Sequence, residues 1–339
     1  MDYSNLVKID SKKMFKIYDQ WPELAFESYN EDQIEFNYEK FDHIIFVGMG
    51  GSGTIGDIFS SILSKENIHV SVVKGYHLPK TTTNSLIVLT SISGNTSETL
   101  SVLKSIEKSD STAIGFSSGG ILENYCKKRN LDFYKISSIH SPRSSLLVFL
   151  YSMLKILKPI IPVKINDIEQ SFKDLNKTQR KISSSNLSDS NISLQLANWI
   201  SGIPVIYYPW GFQSAAIRFK NSLQENSKSH SMCEDIIETS HNGIVSWEKK
   251  SIAQPILLKG NADHDKTKER WKIVQEYFQS NKIDFFEIIS TENNILSKLV
   301  NLIYLTDYTS IYKAVLSGID PSPVKSIDFI KSQLDKSTN

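Results

Sequence analysis

The stretch "FVGMGGSGTIGD", residues 46–57, decides the fold, because it joins an apolar, strand-like run to a loop with five glycines in nine residues. Gly48, Gly50 and Gly53 match the spacing G-x-G-x-x-G, which lies between a strand and a helix in dinucleotide-binding domains. Glycines let backbone amides approach an anion, and the start of a helix adds partial positive charge. The stretch therefore predicts a phosphate-binding turn, with a tight turn that holds no ligand as the alternative.

The kind of phosphate is indicated by the next strand. A dinucleotide site needs an acidic residue about 20 residues beyond the glycines, at the end of the second strand, to hold the ribose hydroxyls. Here that strand lies in "HVSVVKGYH", residues 69–77, and ends in Lys74 with no carboxylate near it. The sequence therefore favours another phosphate and predicts no cofactor, and an NAD-dependent oxidoreductase remains an alternative.

A second loop supports phosphate binding. After the apolar run "LIVLT", the sequence "SISGNTSETL", residues 91–100, crowds small polar residues before a predicted helix. A helix N-cap needs only one hydroxyl, and this loop offers several. Ligands of open parallel sheets bind outside the carboxyl ends of the strands, which both loops leave. The two loops predict a neutral, hydroxyl-rich site for a phosphate monoester.

The rest of the chain predicts an α/β fold. Short β-branched runs alternate with segments of helical period, which is typical of parallel sheets flanked by helices. In the first half the predicted strands are 43–48, 69–74, 85–91, 112–117 and 132–137, and the predicted helices are 54–65, 97–107, 120–129 and 144–157.

A polar, Ser- and Asn-rich segment, 176–191, is predicted to be a linker or surface excursion. The alternation then resumes. We predict two domains of the same type, residues 1–157 and 158–339, the second with strands at 203–209, 254–260 and 283–290 and helices at 212–226, 266–280 and 294–316.

Composition excludes several classes of function. A net charge of +1 gives no electrostatic case for nucleic acid or a membrane surface. No apolar run approaches the roughly 18 residues of a membrane span, and the N-terminus has no signal-peptide core. The two cysteines, Cys126 and Cys233, favour a reducing compartment, and no His or Cys cluster has the spacing of a zinc site. A cytoplasmic protein without a metal is expected.

Further motifs carry a family resemblance. "GMGGSG" and "SGNTSET", followed by "PR" at 142–143, "ENSK" at 225–228, "HN" at 241–242 and "DPSPVKSIDFIK" at 320–331, resemble the bifunctional phosphoglucose/phosphomannose isomerases. The resemblance runs from about Phe41 to Lys331 and implies tandem sugar isomerase domains. It implies an aldose-ketose isomerase that interconverts glucose 6-phosphate, and mannose 6-phosphate, with fructose 6-phosphate. It also implies a homodimer with shared active sites.

The resemblance assigns roles to matching residues. Glu225, Lys331 and His241 would carry the proton chemistry, with His241 reaching the site from the neighbouring subunit. Arg143 would face the reacting carbons, and the phosphate would be held by Gly51, Ser52, Ser91, Ser93 and Thr96. The chain departs from the family at Gly243, where a Glu is usual, and a family threonine near the C-terminus has no secure match in "DPSPV".

The chemistry asks for these residue types independently. Removing the C2 proton and returning it to C1 through a cis-enediol suits a carboxylate, an arginine can stabilise the negative oxygens, and a histidine can open the ring. The ordinary alternatives are a solvated Glu225 paired with Arg218 or Lys228, a surface salt bridge of Arg143, and a solvated Lys331. His241 is one of seven histidines and could lie in an exposed loop without a role. A non-catalytic sugar-phosphate sensor is the second functional alternative.

Overall fold

The computed structural model describes residues 1–36, 38, 41–109 and 111–337. It contains two parallel sheets, one in each half of the chain, with helices on both faces. The predicted α/β class, with two sheets flanked by helices, is confirmed. In the described residues, no helix is both long enough and apolar enough to cross a membrane.

The first sheet has five parallel strands in the order β2-β1-β3-β4-β5. Every residue of β3 is buried, as expected for a central strand covered on both faces. The strand order reverses between β1 and β3, and a crevice for ligands opens at such a point. The strands are β1 His43–Val47, β2 His69–Val73, β3 Ser85–Thr90, β4 Thr112–Ser117 and β5 Asp132–Lys135.

The helices of the first half connect these strands and precede them. Three short N-terminal helices, α1 Tyr3–Ile9, α2 Met14–Asp19 and α3 Trp21–Asn30, come before the sheet. The connecting helices are α4 Gly50–Leu63, α5 Ser97–Ser105 and α6 Gly120–Arg129, and α7 Leu146–Ile156 follows the last strand. Helix α4 begins at Gly50, earlier than the predicted residue 54, because the glycine-rich stretch forms its first turn.

The second sheet has four parallel strands in the order β7-β6-β8-β9. They are β6 Ile203–Tyr208, β7 Met232–Asp235, β8 Ala253–Lys259 and β9 Phe286–Ile289. The edge strand β7 was not predicted, because "MCED" has neither a β-branched run nor a clear alternation. The helices of this half are α8 Ile165–Ile182, α9 Ile192–Trp199, α10 Gln213–Asn226, α11 Ile236–Thr239, α12 Asp265–Ser280, α13 Ile295–Leu316 and α14 Lys325–Ser337.

The predicted linker at 176–191 is wrong over its first part. Residues 176–182 are the last two turns of α8, and only 183–191 are turns that lead to α9. The apolar stripe of α8, with Ile168, Phe172, Leu175 and Ile182, is buried, while polar residues such as Lys177 face outward. Composition therefore suggested a linker where the helical period indicates an amphipathic helix.

The largest hydrophobic core joins the two halves. Helix α13 is buried along most of its 22 residues, and it packs against α8, α9 and α10. Residues from the N-terminal helices and from both sheets belong to the same buried cluster. This shared core places connections of the second sheet directly beside those of the first.

Candidate active site

The glycine-rich loop joins β1 to α4 at the reversal point of the first sheet. Gly50 has a φ of 53°, a left-handed conformation that favours glycine, and a Cβ at Gly53 would lie 2.9 Å from the Gly48 carbonyl oxygen. The N-cap Met49 offers no side-chain hydrogen bond to the helix. The first amides of this 14-residue helix are therefore available to an anion.

The serine-rich loop between β3 and α5 lies beside the first loop. The hydroxyls of Ser91 and Thr96 are hydrogen-bonded at 2.9 Å, and the Ser52 Oγ accepts from the Ile92 amide at 3.4 Å. Ser93 is exposed, and its Oγ accepts from the Asn95 amide at 3.3 Å. Thr96 is the N-cap of α5 but makes no side-chain bond to it. The two predicted phosphate loops are thus brought together at one crevice.

The residue that follows β2, where a carboxylate would hold a ribose, is a lysine. Lys74 follows the strand, and its ammonium forms an ion pair with Asp57 of α4. A lysine paired in this way cannot accept the hydrogen bonds of ribose hydroxyls. The geometry agrees with the sequence in favouring a phosphate monoester over a dinucleotide.

Arg143 lies directly beside the glycine-rich loop. A Cβ placed on Gly51 would lie 3.5 Å from the Pro142 carbonyl oxygen and 3.9 Å from the Arg143 Cα. The Arg143 residue is only 7% exposed, so it does not form the surface salt bridge considered above. Its Nε is buried and has no hydrogen-bond partner among the described residues.

Glu225 meets Arg143 across the two halves of the chain. Arg143 Nη1 donates to Glu225 Oε2 at 3.1 Å, and the Glu225 side chain remains 30% exposed. Glu225 belongs to the last turn of α10 and opens into a cleft of about 770 Å³. The alternative pairing of Glu225 with Arg218 or Lys228 is not observed in the described side chains, because Arg218 pairs with Asp307 and the Lys228 ammonium donates to the Glu225 backbone carbonyl.

A C-terminal segment, residues 320–323, crosses this site. Arg143 Nη2 donates to the carbonyl oxygens of Pro321 at 2.7 Å and Ser322 at 2.8 Å. Lys228 Nζ donates to the Pro323 carbonyl oxygen at 2.7 Å. Burial, together with the nearby Arg143 charge, lowers the pKa of Lys228. The segment therefore adds neutral acceptors around two cations.

Lys331 and His241 are not brought to this site within one chain. Lys331 is exposed on α14 and does not line the Glu225 cleft, whereas Lys325 at the start of the same helix does. His241 is exposed, and its amide donates to the Glu238 carbonyl oxygen at 2.9 Å. Among the described residues, neither side chain makes a hydrogen bond or ion pair with the Glu225 side chain, whose partner is Arg143.

The topology explains the position of His241. Helix α10 returns from the carboxyl end of β6 to the amino end of β7, and Glu225 lies in its last turn. His241 follows the carboxyl end of β7. The two residues therefore lie at opposite ends of the second sheet, and the 14 residues of α10 alone span about 21 Å.

The departure at Gly243 has a local counterpart. A Cβ on Gly243 would lie 2.5 Å from Glu234 Oε2, so the carboxylate of β7 occupies the space beside this glycine. The same oxygen accepts from the Thr239 hydroxyl at 2.7 Å. A carboxylate therefore lies next to the loop that carries His241, but it belongs to Glu234 of β7 and not to a glutamate at position 243.

Sequence reasoning missed several residues around the site. Arg218, considered above only as an ordinary partner of Glu225, is buried against Asp307, and Lys228 and Lys325 line the same cleft as Glu225. Their roles depend on partners distant in sequence, so no local signal could identify them. Among the residues that the structure describes, no three His, Cys, Asp or Glu side chains gather as a metal site would require.

Two solved structures with the same fold are titled as phosphosugar enzymes. The C-terminal domain of glucosamine-fructose-6-phosphate aminotransferase from Francisella tularensis superposes with a TM-score of 0.68 at 17% identity, over 91% of this chain and 96% of that one. Tagatose-6-phosphate ketose/aldose isomerase from Escherichia coli gives a TM-score of 0.67 at 14% identity, over 91% and 93%. At these identities the likeness shows the fold alone.

Sequence comparison shows the family. A family model described as bacterial phospho-glucose isomerase C-terminal SIS domain matches residues 189–334. The bifunctional phosphoglucose/phosphomannose isomerase of Caldicellulosiruptor bescii is 30% identical over 91% of this chain and 94% of its own length. The enzyme of the same name from Aquifex aeolicus is 29% identical over 86% and 90%. With this fold and these relatives, the chain belongs to the bifunctional phosphoglucose/phosphomannose isomerase family.

Proposed function

We propose that this protein interconverts glucose 6-phosphate, and mannose 6-phosphate, with fructose 6-phosphate. The observation that carries the proposal is the Arg143–Glu225 ion pair, since Arg143 also lies directly beside the glycine-rich loop at the reversal point of the first sheet. The names of its relatives support an isomerase over a non-catalytic sensor or an NAD-dependent oxidoreductase. The reaction is an aldose-ketose isomerisation through a cis-enediol.

The phosphate of the substrate would be held by the two loops. The amides at the start of α4, including that of Gly51, would donate to its oxygens, and so would the hydroxyls of Ser52, Ser91, Ser93 and Thr96. Because these donors are neutral, they bind the phosphate without neutralising its negative charge. Several fixed donors would orient the phosphate, and the sugar chain would then extend toward Arg143 and Glu225.

Glu225 would act as the base. It removes the proton from C2 of the open-chain aldose while the C1 carbonyl oxygen takes up a proton, and it then returns a proton to C1 as the C2 oxygen becomes the carbonyl. Negative charge builds on the C1 and C2 oxygens in between, and the fixed guanidinium of Arg143 would stabilise it.

Ring opening would use a second copy of the chain. His241 lies at the far end of the sheet from Glu225, so a site containing both residues requires His241 of a neighbouring subunit. We therefore propose a homodimer with shared active sites, and Lys331 on the exposed helix α14 would join the site in the same assembly. Gly243 leaves room for the Glu234 carboxylate beside this loop.

Two further expectations belong to the proposal. The division into domains 1–157 and 158–339 is supported by the two separate sheets, and the boundary follows α7. A cytoplasmic location is supported by the two cysteines, neither of which is paired in a disulfide.

A coupled assay tests the proposed function. Purified protein is supplied with fructose 6-phosphate, and glucose 6-phosphate and mannose 6-phosphate are detected separately, with and without a chelator. We expect glucose 6-phosphate, with mannose 6-phosphate as the second product, at rates that exhaustive chelation leaves unchanged, because Glu225 and Arg143 supply the base and the stabilising charge. Loss of activity on chelation with recovery on adding zinc would contradict this mechanism.

A further inference from the structure

A second arginine lies beneath the site. Arg218 belongs to α10, about two turns before Glu225, and its side chain is 3% exposed. Its Nε donates to both carboxylate oxygens of Asp307 at 3.1 Å, and its Nη2 donates to Asp307 Oδ2 at 2.6 Å. Asp307, on α13, is fully buried and also accepts from Ser222 and Tyr18. The plane of the guanidinium is therefore fixed.

The same guanidinium reaches the first half of the chain. Arg218 Nη2 donates to the backbone carbonyl oxygen of Arg143 at 2.7 Å. Its Nη1 lies 3.7 Å from the position of a Cβ on Gly51. The glycine-rich loop, the backbone of Arg143 and the helix that carries Glu225 thus meet around one side chain.

Stability alone does not explain this arrangement. A buried ion pair loses the hydration of both charges, and well-packed apolar replacements of such pairs are often as stable or more so. An apolar pair cannot donate to the Arg143 carbonyl. A lysine could pair with Asp307, but as a point charge it lacks the planar set of donors that reaches the carboxylate and the carbonyl together.

We propose that Arg218 is a positioning residue for Arg143. It holds the Arg143 backbone against the glycine-rich loop, so that the Arg143 guanidinium stays between the phosphate and Glu225. Through Arg143, Arg218 therefore contributes to stabilising the charge that develops at the C1 and C2 oxygens and does not contribute to binding the phosphate. This inference rests on the proposed function and names a residue through which that site keeps its geometry.

Two matched ligands, neither of which is turned over, distinguish an effect on the stabilised charge from an effect on phosphate binding. Arabinonate 5-phosphate carries a carboxylate where the enediol oxygens would be, and arabitol 5-phosphate has a neutral hydroxyl there. Calorimetry with the unmodified protein should show tighter binding of arabinonate 5-phosphate by at least about tenfold, since a bond to a charged group is stronger than one to a neutral group. The ratio of the two affinities measures what Arg143 contributes.

The decisive variant is Arg218→Met/Asp307→Leu, which removes both charges and puts apolar side chains in their place. We expect the affinity ratio to fall to within about twofold of one, while the affinity for arabitol 5-phosphate stays within about threefold of the unmodified value. Adding both substitutions to Arg143→Ala should change the ratio no further, because Arg218 acts through Arg143. Arg218→Lys keeps the charge opposite Asp307 and should lose most of the ratio as well.

Urea unfolding of each variant establishes that it is folded, and Arg218→Lys serves if the double variant is not. A folded variant that keeps the full ratio would overturn the proposal, and so would the lack of any preference in the unmodified protein. Failure of the proposed function would be seen separately, as an unmodified protein that does not turn over fructose 6-phosphate.

Discussion

Arg143 and Glu225 come from the connections of two different sheets, and their side chains meet with Nη1 3.1 Å from Oε2. The arginine is almost buried, whereas the Glu225 side chain is 30% exposed to its cleft. A fixed cation therefore lies beside a carboxylate that a ligand can reach. This is the relationship that a base and its charge-stabilising partner need, and the predictions below follow from it.

Replacing the proposed base tests this relationship. Glu225→Gln should lower kcat by about 10²–10⁴-fold, which is the contribution of a positioned general base. The amide oxygen can still accept from Arg143, so folding and KM should change little. Steady-state kinetics with fructose 6-phosphate measures the effect, with Glu276→Gln on the exposed face of α12 as the matched control. Near-normal turnover of Glu225→Gln would mean that another group carries the proton.

The phosphate loops should act mainly on binding. Ser52→Ala and Thr96→Ala each remove a hydroxyl that would contact the phosphate in both the ground state and the transition state, so KM should rise about tenfold or more with little change in kcat. Ser61→Ala, in the last part of the same helix α4, is the control for Ser52→Ala. A large fall in kcat at unchanged KM would assign these loops another role.

The buried Asp307 should be important for stability as a single residue. Asp307→Ala leaves the Arg218 guanidinium buried without its counter-charge, and we expect a loss of about 3–5 kcal/mol in the free energy of unfolding. Urea denaturation measures it, and Asp265→Ala in the first turn of α12 should cost far less because Asp265 is exposed. Equal stabilities of the two variants would show that Asp307 is readily replaced.

Subunit mixing tests the shared site. Glu225→Gln and His241→Ala should each be nearly inactive, but a mixed dimer contains one site in which both residues are intact. A mixed dimer should therefore have about half the activity of an unmodified dimer, and an equal mixture should recover about a quarter after full exchange, because about half of its dimers are mixed. Differently tagged chains verify the exchange. Persistent inactivity after verified exchange would place both residues in one chain's site or leave His241 without a role.

The phosphate loops could be predicted from sequence because their signals are local. Glycines that permit a tight turn follow β1 directly, and hydroxyl residues follow β3, so strand prediction alone placed both loops at one edge of a sheet. Helix α8 and strand β7 show where such reasoning fails. The polar face of α8 resembled a linker, and the four residues of β7 gain their structure from pairing with β6.

The meeting of Arg143 with Glu225 depends on tertiary packing and could not be predicted from spacing. The two residues are 82 positions apart, and Arg218 and Asp307 are 89 apart. The resemblance named Arg143 and Glu225, but it did not identify Arg218, whose partners are the Arg143 carbonyl and a carboxylate on a later helix. Only the packing of α10 between α4 and α13 brings these groups together.

The most direct measurement of the central claim follows the proton. Fructose 6-phosphate is incubated with the purified protein in deuterium oxide, and the products are analysed by nuclear magnetic resonance. The account predicts glucose 6-phosphate in which part of the molecules carry deuterium at C2, because the proton held by Glu225 can exchange with solvent before it returns to carbon. The account would be contradicted if the protein formed no aldose 6-phosphate. It would also be contradicted if the Glu225→Gln variant formed the aldose 6-phosphate as fast as the unmodified protein does.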